Sequence, residues 1–145
     1  MDKENKLVPG LPPGFEDRWS NKLLLKKKLI KAIEKNFIKF GAEALETPSF
    51  EISESIGSFL AEDEANPMSD VFSFQDGEKS ITLRYDLSSP LARFVAQNNQ
   101  ELPSIFKRYQ IQNVFRNEKA GNGRYREFMQ ADFDIVGNVN PAQAN

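Results

Sequence analysis

FKRYQIQNVFRNEKAGNGRYREFMQADFDIV, Phe106 to Val136, is the stretch whose reading decides the fold. At the strand period of two, its first half puts Arg108, Gln110, Gln112, Val114, Arg116 and Glu118 on one face. Tyr109, Ile111, Asn113 and Phe115 fall on the other. Beyond the loop Lys119, Ala120, Gly121, Asn122 and Gly123 the alternation resumes, with Arg124, Arg126, Phe128, Gln130, Asp132 and Asp134 against Tyr125, Met129, Ala131, Phe133 and Ile135. Two such strands joined by a Gly-rich loop predict an antiparallel hairpin with one apolar and one polar face.

Two readings of the polar row stay open. In one it faces water, and cross-strand Arg–carboxylate pairs add a few tenths of a kcal/mol each. In the other it binds a ligand, because the residues are ordered: cations near the loop, then an aromatic ring, an amide and two carboxylates. That order suits a polyphosphate, a planar base, and a cationic or hydrogen-bonding group in turn. Same-face residues stand roughly 6.6 Å apart, so Phe128 to Asp134 spans roughly 20 Å, room for a nucleotide joined to a small second substrate. Arg forks can grip phosphate oxygens, and no Walker-type loop is present to do so.

Outward from the hairpin, Ser89 followed by Pro90 predicts an N-cap and first helical position, with Leu91, Phe94 and Val95 as the buried stripe to about Asn98. Val71–Gln75 and Lys79–Tyr85 flank Asp76-Gly77 and predict a second hairpin, turned as type I′. Phe50 to Ala61 reads as a weaker helix and Ala42 to Thr47 as a short strand closed by Pro48. From Trp19 to Phe40, Leu25, Leu29, Ile33, Phe37 and Phe40 recur at helical spacing, with Ser20 as N-cap and Gly41 as stop. Lys22, Lys26, Lys27, Lys28 and Lys31 line the opposite face, either solvated or set to meet RNA phosphates. Leu7 to Phe15, with three prolines and two glycines, reads as an extended lead-in.

Composition narrows the chemistry. Among 145 residues there is no Cys and no His, which excludes thiol nucleophiles, Ser-His triads and the usual zinc sites. Catalysis would run on carboxylates, Arg, Lys, hydroxyls and amides. The net charge of -2 gives no global cationic field, so any RNA contact is local. No window approaches the roughly 18 apolar residues of a membrane span, and a cytoplasmic protein is the default expectation.

Phe115 to Gly137, FRNEKAGNGRYREFMQADFDIVG, closely resembles the second signature of class II aminoacyl-tRNA synthetases in its histidyl-tRNA synthetase form. Thr82 to Asn98, TLRYDLSSPLARFVAQN, looks like that family's amino-acid-binding stretch. The long helix followed by GAEALETP, Gly41 to Pro48, is similar to the first class II signature, whose proline sits at the dimer interface. The resemblance implies an α+β catalytic fold, a six- or seven-stranded antiparallel sheet flanked by helices, in an obligate homodimer. It implies that histidine attacks the α-phosphate of ATP to give histidyl-adenylate, and that the histidyl group then passes to its tRNA. By matching positions, Arg116 would hold the α-phosphate as the catalytic residue, Glu118 would accept from the adenine amino group, Arg124 would reach the γ-phosphate and Phe128 would stack on adenine. Asp86, Ser88 and Gln130 would surround the α-amino group, and Asp134 would hydrogen-bond the imidazole. ATP use implies Mg²⁺, for which these residues assign no ligands.

On the same resemblance, residues 1–145 are expected to form the N-terminal portion of the catalytic domain, with the third signature and the anticodon-binding domain outside this sequence. The partners implied are L-histidine, ATP, the tRNA for histidine and a second copy of the chain, with no membrane. An alternative is a non-catalytic, synthetase-like regulatory subunit of ATP phosphoribosyltransferase. Retention of Arg116, Glu118, Arg124 and Phe128 argues against it.

Overall fold

The computed structural model describes residues 8–55 and 71–138. The long hairpin is its spine: β5 (Ile105–Phe115) pairs antiparallel with β6 (Glu127–Gly137), in continuous register from Ile105↔Gly137 to Phe115↔Glu127. Along it Arg108 stands opposite Asp134, Gln110 opposite Asp132, Gln112 opposite Gln130, and Val114 opposite Phe128. The apolar face packs on α1 (Ser20–Lys39), where Phe37 lies 5.8 Å from the Tyr109 ring and 5.5 Å from that of Phe133. Tyr109 fastens the contact by donating its hydroxyl to Glu34 at 3.0 Å.

On β5 the inner half of the polar face is not solvated. Arg108 and Gln110 are fully buried, under the 84–88 segment that leads into α2 (Ser88–Asn98). Phe94 of α2 meets Phe106 of β5 at 6.1 Å and closes this side with apolar contact. A buried polar row must find partners inside the protein, so the solvated-face reading fails at Arg108 and Gln110.

β1 (Glu43–Ala44) completes this sheet on the far side of β5, in the order β1-β5-β6. It runs parallel to β5, with Glu43 opposite Arg108, so the sheet is mixed where an antiparallel one was expected. The chain between them, which includes a second sheet and α2, is a crossover long enough to allow parallel pairing. That second sheet has the order β2-β4-β3, from β2 (Phe50–Ile52), β3 (Ser73–Asp76) and β4 (Lys79–Leu83).

Several local expectations need correction. Phe50 opens a strand and not a helix: Phe50 and Ile52 point outward while Glu51 is buried and gripped by Arg93 of α2, so alternation prevails. Of the remaining expected helix, 53–55 form a 3₁₀ turn and 56–61 lie outside the described residues. The second hairpin turns at Gly77-Glu78, since Asp76 pairs with Lys79. Of these two only Gly77 has a positive φ, +61°, which is the φ signature of a II′ turn and not of I′. Ser20 does not cap α1: Trp19 holds the extended cap position and Ser20 is the first helical residue, at φ +53°. Gly41 does stop that helix, at φ +75°, its N–H donating to the Ile38 carbonyl. Ser89 likewise lies inside α2, which begins at Ser88, and its N–H is capped by Asp86 Oδ1 at 3.1 Å. In α1 the docked stripe is Leu23, Lys26, Ile30, Ile33 and Phe37, leaving Leu25, Leu29 and Phe40 more than half exposed. Lys26 therefore leaves the basic face, and burial lowers its pKa, with Arg18 adding to the effect.

Candidate functional site

The row on the polar face of the hairpin has an outer and an inner end. At the outer end Arg116 follows β5, held by its N–H to the Arg126 carbonyl at 2.8 Å. Its guanidinium lies between two rings, 4.3 Å from the centre of Tyr85 and 5.1 Å from that of Phe128. Tyr85 donates its hydroxyl to Glu118 Oε1 at 3.2 Å, and Arg124 reaches Glu118 Oε2 at 3.9 Å while remaining 70% exposed. Two aromatic rings, one carboxylate and two guanidinium groups thus converge, one cation ordered against the rings and one exposed enough to meet a ligand from solvent.

Arg126 is not part of that cluster. Its Nε donates to the Glu118 carbonyl at 2.8 Å, its guanidinium lies over Phe72, and its stem covers Gly14. Gly14 has φ +84°, and a Cβ there would stand 2.7 Å from Arg126 Cγ, so this glycine allows the lead-in to lie on the loop. Arg126 is a fastener for the loop that carries Glu118 and Arg124.

At the inner end, Arg108 Nη2 lies 2.6 Å from Asp134 Oδ2, a close ion pair without the angle of a hydrogen bond. Burial lowers the Arg108 pKa, opposed by Asp134, Asp132 and Asp86 in that order. Burial also raises the Asp132 pKa; Arg108 opposes the shift, while Asp134 and Asp86 add to it. Three carboxylates therefore share one buried guanidinium, and negative charge is in excess. Arg84, 3% exposed, ties the floor together by donating to the Asn113 and Thr47 carbonyls and to Gln112 Oε1.

Unmet hydrogen-bonding capacity follows the same row. Arg116 Nε, Gln130 Oε1, Asp134 Oδ2 and Arg108 Nε on this face, and Asn113 Oδ1 on the other, are buried and have no hydrogen-bond partner among the described residues. Asp134 Oδ2 already faces the enclosed Arg108, so of these atoms Arg116 Nε and Gln130 Oε1 are the ones that a polar ligand on this face would complete. Of the expected residues, Arg116, Glu118, Arg124 and Phe128 come together at the outer end, and Gln130 and Asp134 lie on the same face farther in. Asp86 is within electrostatic reach of Arg108, with one oxygen engaged at the start of α2. Ser88 is exposed and borders a cavity of about 500 Å³ whose other lining residues include Leu91, Val95 and Val136. That cavity lacks convergent polar groups and is not the candidate site. Tyr85 and Arg108 belong to the site although neither was expected there.

A family model described as histidyl-tRNA synthetase matches residues 14–144, which takes in both ends of the row. The chain belongs to the histidyl-tRNA synthetase family. Among its relatives, the histidine–tRNA ligase of Pelagibacter ubique strain HTCC1062 is 79% identical over all 145 residues, which cover 31% of that protein. The crystal structure of histidyl-tRNA synthetase from Nostoc sp. PCC 7120 superposes with a TM-score of 0.74 at 27% identity, over 90% of this chain and 29% of that one. A Bacillus halodurans protein described as an ATP phosphoribosyltransferase regulatory subunit/histidyl-tRNA synthetase gives a TM-score of 0.75 over 97% of this chain and 35% of its own. Its identity of 23% shows the fold alone. The α+β arrangement of this chain is thus that of the histidyl-tRNA synthetase family, and the chain spans under a third of the Pelagibacter relative's length. No helix among the described residues is long and apolar enough to cross a membrane.

Proposed function

We infer that the protein takes part in ATP-dependent ligation of L-histidine to its tRNA through histidyl-adenylate, a cytoplasmic reaction of protein synthesis. The observation that carries this reading is the single row on the hairpin, with Arg116 between Tyr85 and Phe128 at one end and Asp134 beside Arg108 at the other. Adenine stacks on Phe128 and donates its amino group to Glu118. Arg116 then lies beside the α-phosphate and Arg124 extends toward the γ-phosphate. Gln130, Asp86 and Ser88 receive the α-ammonium group, where the surplus of carboxylate charge favours a cation, and Asp134 accepts from the imidazole.

The chemistry asks little of the protein beyond placement. The histidine carboxylate attacks the α-phosphorus, the bond to the bridging oxygen breaks, and pyrophosphate leaves with the electron pair. No protein nucleophile is needed, which suits a chain without Cys or His. Arg116 stabilises the negative charge that accumulates on the five-coordinate phosphorus, a contact whose loss typically costs about 2.7 to 4 kcal/mol. Mg²⁺ accompanies ATP in this reading, but the described residues include no group of three or more metal-ligating side chains, and no step here depends on a protein-bound ion. Retention of the whole outer cluster disfavours the regulatory-subunit reading.

The test is histidine-dependent exchange of labelled pyrophosphate into ATP by the protein expressed from its full reading frame, with the other amino acids as controls. Exchange with histidine alone supports the assignment; exchange with a different amino acid, or none, removes it.

A further inference from the structure

Arg108 has no part in the roles just given, yet it is the most completely enclosed charge on the row, at 0% exposure. A buried ion pair is seldom the most stable way to fill such a space, since apolar residues of the same volume often serve as well or better. What the guanidinium touches gives a better reason for it. Its Nη2 contacts Asp134 on β6 at 2.6 Å and also donates to the Leu87 carbonyl at 3.2 Å, while Nη1 donates to Gln110 Oε1 at 3.2 Å. Leu87 lies between Asp86 and Ser88 and is itself fully buried. One planar, rigid group therefore joins the carboxylate at the imidazole end to the backbone that carries the α-amino end.

We propose that Arg108 is a positioning residue for histidine: it sets the distance and orientation between Asp134 and the Asp86–Ser88 segment, and so the length and shape of the amino acid accepted. The proposal rests on the ligase reading above. Arg108 sits beneath Asp134 and is closed to solvent, whereas the Asp134 side chain is 37% exposed, so the carboxylate is held from below and open to a ligand on its other side. Holding one oxygen fixes the rotamer, and the remaining lone pairs face a ring N–H in one direction. A Lys in this place would keep the charge but lose the planar fork in which Nη1 anchors to Gln110 while Nη2 meets Asp134 and Leu87. The path from Arg108 to the outer cluster is indirect, through Gln110, Gln112 and Arg84, so ATP should register the change far less than histidine.

The experiment is a double-mutant cycle in pyrophosphate exchange, using the full-reading-frame protein with Arg108→Leu, Arg108→Lys, Asp134→Ala and the double variant Arg108→Leu/Asp134→Ala. Arg108→Leu is expected to raise KM for histidine at least about tenfold, with KM for ATP changed by less than about threefold. Arg108→Lys is expected to show the same split more mildly, which keeps the test open if the Leu variant folds poorly. Where two residues act on one ligand through a shared contact their effects are not additive, so the double variant should lose clearly less for histidine than the product of the two single losses. Losses that multiply, or KM values for histidine and ATP that rise together, would make Arg108 a structural residue only and overturn the proposal. If the unmodified protein shows no histidine-dependent exchange, the ligase reading falls and the proposal falls with it, an outcome distinct from a working enzyme indifferent to Arg108.

Discussion

Phe128 and Asp132 stand four residues apart on one strand face, and their surroundings give them opposite consequences. Phe128 offers an aromatic surface beside the Arg116 guanidinium. Stacking a base on such a ring is worth about 1–3 kcal/mol, so Phe128→Ala is expected to raise KM for ATP by roughly 5- to 150-fold and to leave KM for histidine nearly unchanged. Steady-state exchange kinetics check this; an equal effect on both substrates would place Phe128 in the framework. Asp132 is instead a cost to the fold when ionised. Burial raises its pKa above the ordinary 3.8, so its favourable contribution is complete below that value and is lost as pH rises through the raised one. Asp132→Asn should therefore melt higher than the parent at pH 7, with the difference shrinking toward about pH 4 in calorimetry across a pH series. A difference that grew on acidification would contradict the sign. Much of this row was legible in the sequence, because alternation alone assigns every side chain to its face. The pairing of Arg108 with Asp134 could have been found by reflecting the strands about Gly121, the centre of the loop. What alternation does not reveal is whether a polar face meets water or protein, and that depends on the 84–88 segment folding over it.

Between elements, the firmest link outside the hairpin is the fork of Arg93 on α2 around Glu51 on β2, at 2.6 and 2.9 Å. Glu51 is only 6% exposed, so removing its partner leaves a carboxylate with little water to replace it. Arg93→Ala is expected to destabilise the protein by about 3 kcal/mol in urea unfolding, at the lower end for a buried pair because Arg84 also faces Glu51. Arg93→Lys should recover only part of the loss, since an ammonium cannot match two oxygens at once. A loss under about 0.5 kcal/mol would mean that the pair behaves as a surface ion pair. The same link explains why Phe50 to Ile52 was misread. Its three residues are too few for a period to declare itself, and the strand exists because β4 and Arg93 are there to receive it. Long elements such as α1, α2 and the hairpin were legible because each carries its pattern over several repeats. Their ends were less so: Asp86 caps α2 from outside the expected cap position.

At the scale of the molecule, α1 presents a question that its own sequence could not answer. The apolar positions Leu25, Leu29 and Phe40 fit a helical stripe, and a stripe is ordinarily read as a core face. Here a neighbouring stripe does the docking, and these three side chains remain 69%, 60% and 63% exposed. Periodicity identifies an apolar face and not its partner, so this error lay outside what one chain's sequence shows. Leu24, Leu25 and Leu29 lie within about one turn of one another and are all more than half exposed, and clustered exposed apolar side chains often mark an interaction site. The cluster lies on the helix that leads into the segment resembling the first signature, where the family resemblance puts a two-fold partner, and a C2 contact would bury the same residues of both copies. A stable interface needs about 1,000 Å² or more, and placing a charge at its centre is strongly unfavourable. Sedimentation of the full-reading-frame protein should accordingly give twice its chain mass, and Leu29→Glu should shift it to the monomer with loss of exchange activity. The two effects should appear at the same protein concentrations where activity depends on the second copy. A parent protein that sediments as a monomer while active would remove the second copy from the reading and leave this stripe to another partner.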